Sequence, residues 1–181
     1  PRSFIATTSS AALFGAIPKF ADVDINSGCI TAKTIEPLIT KKTKAISVVH
    51  LGGWPADMKS ICELASEYKI PVIEDCAQAH GAKILIGNEF KNVGSFGDVS
   101  AWSFCQDKII STAGEGGMVT TNKKEIWSKI WSLKDHGKDY ELVPSNKSNS
   151  GFRWLHESFG TNLRLTEFQS AIGILQLKNI L

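Results

Sequence analysis

Apolar and polar stretches alternate along this chain in a way that predicts strands and helices in turn. Thr43 to His50 (TKAISVVH) is short, apolar and β-branched, the pattern of a strand buried on both faces. Asp57 to Lys69 then carries Met58, Ile61, Ala65 and Tyr68 at three- and four-residue steps, one face of a helix. Ile70 to Cys76 (IPVIEDC) is a second apolar strand. Strand, helix, strand implies a parallel pair joined by a right-handed crossover.

The same alternation continues on either side. A short helix is expected through Ala11 and Ala12, then a strand over Ile17 to Asp24. Lys83 to Phe90 reads as a hairpin around Gly87-Asn88. Val99 to Phe104 and Gly116 to Thr121 read as two further strands, and a helix follows with Asn122 as its N-cap and Glu125 three residues on. That helix runs through Ile126, Ile130 and Leu133. Lys138 to Arg153 is rich in Ser and Asn and predicts an exposed loop. Thr166 and Gln169 then form a capping signature for a last helix, with Phe168, Ala171, Ile172 and Leu175 on its buried face. The fold class is α/β: a mostly parallel sheet flanked by helices.

Composition narrows the function classes. Of 181 residues, 20 are Lys or Arg and 18 are Asp or Glu, for a formal net charge of +2. That balance argues against nucleic acid as the main partner, which requires clustered positive charge. No apolar run approaches the roughly 20 residues of a membrane-spanning helix, and no signal peptide opens the chain. The chain begins at Pro1 without Met and ends at Leu181 inside a helical pattern, so both ends read as truncated. Cys29, Cys62, Cys76 and Cys105 have irregular spacing with no C-x-x-C pair, which points to free thiols in a reducing cytoplasm and to no metal site.

In open α/β sheets, ligands sit beyond the carboxyl ends of the strands. The polar residues just after each apolar run are His50, then Glu74-Asp75 with Gln78 and His80, then Ser103, then Lys108. Asp75 has two readings: a helix N-cap or buried ion pair, or a carboxylate that holds a proton on a ligand nitrogen. Lys108 also has two: a solvated surface lysine, or a shielded and nucleophilic amine. The glycines at 114, 116 and 117 permit close backbone approach or make an ordinary turn, and they match neither the P-loop nor the dinucleotide fingerprint. An aspartate and a lysine together suit pyridoxal phosphate, which needs an amine for its Schiff base and an acid beside its pyridine nitrogen. Its phosphate needs hydroxyls and backbone N–H groups.

Five motifs occur in order: EDCAQAHG (74–81), VGSFGD (93–98), WSFCQDK (102–108), GEGG (114–117) and FGTNLRLTEFQSAIG (159–173). With the opening FIATTSSAALFGAIPKFADVD (4–24), they resemble the DegT/StrS family of pyridoxal-phosphate-dependent nucleotide-sugar aminotransferases, of the aspartate aminotransferase fold (fold type I). The resemblance spans essentially the whole chain. It implies that residues 1–181 are a partial cofactor-binding large domain without the family's smaller C-terminal domain. It implies that Lys108 carries the cofactor and shuttles the proton, and that Asp75 keeps the pyridine nitrogen protonated. Gln78 would contact the phenolic oxygen, Ser103 the phosphate, and Phe4 the face of the ring. Asn162 would reach the phosphate of a neighbouring subunit, in a homodimer with shared active sites. Phe4 otherwise reads as a core aromatic, while Trp127, Trp131 and Trp154 read as packing or interface residues.

The implied reaction moves an amino group, from glutamate by family analogy, to a nucleotide-linked keto sugar in a cytoplasmic pathway of polysaccharide, lipopolysaccharide or antibiotic synthesis. Family dehydratases replace the lysine, commonly with histidine, so the intact Lys108 favours transamination over dehydration. Two further alternatives are a non-catalytic regulator on the same fold, disfavoured by the intact Lys108, Asp75 and Ser103, and an unrelated Rossmann-type binding domain, disfavoured by the missing glycine fingerprint. Cys105 and Gln106 depart from the family's usual residues before the lysine and leave the substrate-side contacts open. With part of the phosphate cup and the closing domain missing, residues 1–181 alone are expected to bind the cofactor weakly or not at all.

Overall fold

The computed structural model describes residues 2–141 and 156–180. Its elements in chain order are α1 (Ile5–Leu13), α2 (Ala32–Ile35), β1 (Ile46–Val49), α3 (Met58–Glu67), β2 (Val72–Asp75), β3 (Lys83–Ile86), β4 (Glu89–Asn92), β5 (Val99–Ser103), β6 (Gly117–Thr120), α4 (Lys124–Lys134) and α5 (Glu167–Ile180). The main sheet has the order β1-β2-β5-β6, and β3 and β4 form a separate antiparallel hairpin. β1, β2 and β5 run parallel, whereas β6 is antiparallel to β5. The carboxyl ends of three strands therefore share one edge with the start of β6.

The β1–α3–β2 unit forms as its sequence predicts. Asp57 caps α3 by accepting from Ser60 N at 3.3 Å, and Lys69, at φ 54°, turns the chain into β2. Met58, Ile61, Leu64 and Ala65 of α3 pack in one core with Ile46, Val48 and Val72. Burying the Met, Ile, Leu and Val side chains among these stabilises the fold by about 1.5–3 kcal/mol each. Tyr68 falls at the helix C-cap and is exposed instead of joining that face.

Four further expectations need correction. First, β1 is not buried on both faces: Ile46 and Val48 are buried while Ser47 is exposed. α3 covers the face shared by Val48, Val72 and Glu74, and the opposite face, with Asp75, Ala101 and Val119, is open or half-open. Second, Ile17 to Asp24 forms no strand. Ile17 and Phe20 are exposed, and Asp24 folds the chain into a turn by accepting from Asn26 N and Ser27 N, so only Val23 bridges back, to Ile30. Third, Asn122 does not cap α4. The capping position is Lys123, whose N–H is held by Thr121 Oγ1 and whose amine pairs with Asp98. Fourth, α5 has its predicted capping box, with Gln169 N donating to Thr166 Oγ1 at 3.3 Å, but Phe168, Ala171 and Leu175 are exposed. It is tied to the rest of the fold by Gln169 Nε2, which donates to Glu115 O at 2.6 Å, and at Gly173 a Cβ would stand 3.1 Å from Thr112.

Trp127 and Trp131 both pack edge-on against Tyr140, at 4.8 and 5.2 Å between centroids. Trp154 and most of the Ser/Asn-rich loop lie outside the described residues. Among the described residues no helix is long and apolar enough to cross a membrane.

Candidate functional site

The strand register brings the candidate residues to one edge. Val49 pairs with Asp75, Asp75 with Ala101, and Ser103 with Gly117. Residues paired across a ladder point to the same face, and alternation carries that face from Ala101 to Ser103. Asp75 and Ser103 thus share a face on neighbouring strands, roughly 8 Å apart by standard sheet spacings. Gln78 and His80 follow in the loop after β2, and Lys108 in the turn after β5, where its N–H donates to Cys105 O at 3.0 Å.

Asp75 is half-buried and has no cationic partner among the described residues. Its Oδ2 accepts from Thr7 Oγ1 at 2.7 Å and its Oδ1 from Ala77 N at 3.1 Å, a local turn. Among the described residues, nothing makes the buried ion pair. Two neutral donors orient a carboxylate without neutralising it, which leaves its charge for a ligand cation. Thr7 was not foreseen in the sequence, because it sits 68 residues away on α1. One turn earlier, Phe4 caps the same helix and is 72% exposed, so it is not a core aromatic.

The Lys108 side chain is only 21% exposed and its Nζ lies 3.4 Å from Asp107 Oδ1. It is a shielded amine with an acidic neighbour, not a solvated one. Cys105 and the Lys108 amine together hold the Asp107 carboxyl below its ordinary range. The Lys108 charge also reaches the β2 loop, at His80. His80 is buried beside the rings of Trp102 and Phe104, at 5.5 and 5.9 Å, and among the described residues neither ring nitrogen has a partner at hydrogen-bond geometry. Burial, and then the Lys108 charge, pull its pKa below the ordinary imidazole value.

The remaining groups present donors. Ser103 Oγ accepts from Cys105 N at 3.3 Å, so its O–H is left to donate outward. Gln78 Oε1 accepts from Gly52 N at 2.8 Å, so its Nε2 is left to donate. Asn162 Oδ1 accepts from Arg164 Nε at 3.0 Å, with Arg164 held in turn by Asp135 at 3.1 Å. No contact among the described residues joins Asn162 to Asp75, Gln78, Ser103 or Lys108; it stands apart, near the end of α4.

Behind the edge lies a buried pair. Glu74 accepts from His50 Nε2 (3.0 Å), Gly94 N (2.7 Å), Phe96 N (2.8 Å) and Gly97 N (2.6 Å). His50 Nδ1 accepts from Ala56 N at 3.1 Å, which puts the ring proton on Nε2. Burial opposes the Glu74 charge, but these donors outweigh it and hold the carboxyl below its ordinary range. His50, Glu74 and Cys76 approach one another as metal ligands do. The histidine and carboxylate atoms are already committed, however, and burial pushes the Cys76 thiol up, away from the thiolate a metal needs.

An unneutralised acid, a shielded amine and outward-facing donors fit pyridoxal phosphate: acid for the ring nitrogen, amine for the aldehyde, donors for its anionic oxygens. Comparisons with known proteins agree. The chain is 42% identical over 170 residues to the UDP-N-acetyl-3-dehydro-alpha-D-glucosamine 3-aminotransferase of Acidithiobacillus ferrooxidans, covering 94% of this chain and 42% of that protein. It is 40% identical over 176 residues to the GDP-perosamine synthase of Escherichia coli O157:H7, covering 97% and 44%. The aminotransferase from Psychrobacter cryohalolentis superposes with a TM-score of 0.93 at 54% identity, covering 99% of this chain and 44% of that one. The chain thus spans less than half the length of these relatives. The model of the DegT/DnrJ/EryC1/StrS aminotransferase family matches residues 1–181, and this chain belongs to that family.

Proposed function

We propose that the protein carrying this chain is a pyridoxal-phosphate-dependent aminotransferase that moves an amino group from an amino acid, glutamate by resemblance, to a keto sugar linked to a nucleotide. The observation that carries the reading is the single edge holding the unpaired Asp75 carboxylate and the shielded Lys108 amine. The sugar-nucleotide enzymes among the relatives support the substrate class. When bound, the cofactor supplies an electron sink that makes the donor's Cα proton acidic.

In this reading each residue has a separate task. Lys108 Nζ would hold the cofactor through its aldehyde carbon and, as the free amine, would move the proton at the donor's Cα. Asp75 keeps a proton on the ring nitrogen, and Thr7 and Ala77 fix the carboxylate for that task. Ser103 and Asn162 donate to the phosphate, the latter from a second copy of the chain in a homodimer. Gln78 donates to the phenolic oxygen, and Phe4 covers the ring face. The balance is one amino group for one carbonyl oxygen: amino acid plus keto sugar gives keto acid plus amino sugar. Residues 1–181 form part of the cofactor-binding large domain, and the enzyme works in the cytoplasm within a sugar-polymer or antibiotic pathway.

Dehydration on the same cofactor is disfavoured because Lys108 is intact. The test is a panel of UDP-, GDP- and dTDP-linked keto sugars offered to the holoenzyme with glutamate. Stoichiometric 2-oxoglutarate and amino sugar are expected; release of water from the sugar without net amino transfer would contradict the proposal.

A further inference from the structure

Gln78 is a carboxamide, with an acceptor at one end and donors at the other, so what it offers a ligand depends on which end the protein holds. The hold is specific here. The backbone N–H of Gly52 donates to Gln78 Oε1 at 2.8 Å, across 26 residues of sequence. Gly52 belongs to the tight turn Leu51–Gly53 that leaves β1, and this turn is itself anchored. Gly53 N donates to His50 O at 3.1 Å and Trp54 N to Leu51 O at 3.0 Å. His50 is fully buried and tied on both ring nitrogens, to Glu74 and to Ala56.

The next residue sets the distance. Gly53 has φ +83°, and a Cβ placed there would stand 2.8 Å from the Gln78 carbonyl oxygen. No side chain fits that gap, so only glycine lets the turn lie this close to Gln78. Around Gly52 the space is open. The constraint therefore comes from the backbone contact and not from general crowding.

We propose that the Gly52–Gly53 turn is a positioning element that sets the polarity of Gln78: Oε1 is committed to the protein, and the Nε2 donor edge is turned to the ligand. The group Gln78 meets is then a hydrogen-bond acceptor, which on the function proposed above is the cofactor's phenolic oxygen. The inference rests on that reading. It adds that β1's exit turn, acting through Gln78, determines what that side chain can recognise.

The test uses the holoenzyme and the pH midpoint of the bound cofactor's visible absorbance. Gln78→Glu keeps an oxygen for the Gly52 N–H but replaces the outward donor with a second, charged oxygen. It is expected to raise the midpoint by at least about one pH unit, and by more than Gln78→Ala, because an anion opposite an anionic oxygen holds the proton on the chromophore. Gly53→Ala is expected to reproduce the Gln78→Ala shift and to add nothing further in the double variant. A Gln78→Glu midpoint at or below that of Gln78→Ala would overturn the proposal, as would additive effects of Gly53→Ala and Gln78→Ala. Should Gly53→Ala fail to fold, the comparison of Glu with Ala at position 78 decides alone. Absence of any cofactor band in the unaltered protein contradicts the function itself, and the polarity proposal falls with it.

Discussion

Glu74 shows how a single buried charge organises the site's foundation. It lies beneath the rim, receives four hydrogen bonds, and joins the end of β1, the middle of β2 and the 94–97 loop. Glu74→Gln would turn an NH2 group toward two of these donors. Leaving buried donors unpaired costs about 1–3 kcal/mol each, so the variant is expected to lose about 2–6 kcal/mol of stability, read from denaturant midpoints. The same carboxylate predicts a pH dependence. Its folded pKa lies below the ordinary value of 4.5, as those of Asp98 and Asp135 lie below 3.8. Depressed carboxylates give stability that is complete above the unfolded pKa and is lost as pH falls through the folded one. The thermal midpoint should thus be flat above about pH 5 and fall steeply below pH 4.5. A midpoint that rises on acidification would contradict the assignment.

At this scale the sequence pointed to Asp75 and Lys108 as candidate site residues but not to the groups that hold Asp75 and Gln78. Asp75 and Lys108 were legible because charged residues closing apolar runs stand out. Thr7 and Gly52 were not, because they reach Asp75 and Gln78 across 68 and 26 residues, and nothing local marks such a contact.

Among the elements, β1, α3 and β2 were readable because their apolar periodicity and their burial arise from the same local pattern. Ile17 to Asp24 has a strand's composition, but a strand exists only if a neighbour pairs with it, and the Asp24 turn consumes the segment instead. Asn122 lost its capping role to contacts that Thr121 and Lys123 make with Asp98, residues well apart in sequence. α5 kept both its pattern and its cap. Thr166 Oγ1 accepts from Gln169 N, while Gln169 Nε2 donates to Glu115 O at 2.6 Å, so the cap also steadies the glycine turn before β6. Thr166→Ala should cost about 1 kcal/mol of stability and speed amide exchange at both the start of α5 and residues 114–117. Faster exchange in α5 alone would show that the two are not coupled.

Taken whole, the molecule has more surface than its mass calls for: 12580 Å², against roughly 8,600 Å² for a compact monomer of this mass. Large apolar side chains contribute to it. Leu13, Phe14, Ile17, Phe159, Phe168 and Leu175 are all more than half exposed, and one face of a largely parallel sheet is open. Surfaces of this kind mark contacts with further protein. Residues 1–181 prepared by themselves should therefore bind a hydrophobic dye strongly and self-associate in sedimentation runs. A monodisperse, dye-free monomer would show that the apolar surface is covered within the chain.

The central claim is that Lys108 is the amine that holds the cofactor at the edge where Asp75 ends β2. Borohydride reduction of the holoenzyme, followed by peptide mapping, tests it most directly. The account predicts a pyridoxyl label on Lys108 and nowhere else, with the label lost in Lys108→Ala. A label on another lysine, or a protein that turns over substrate yet takes no label, would contradict it.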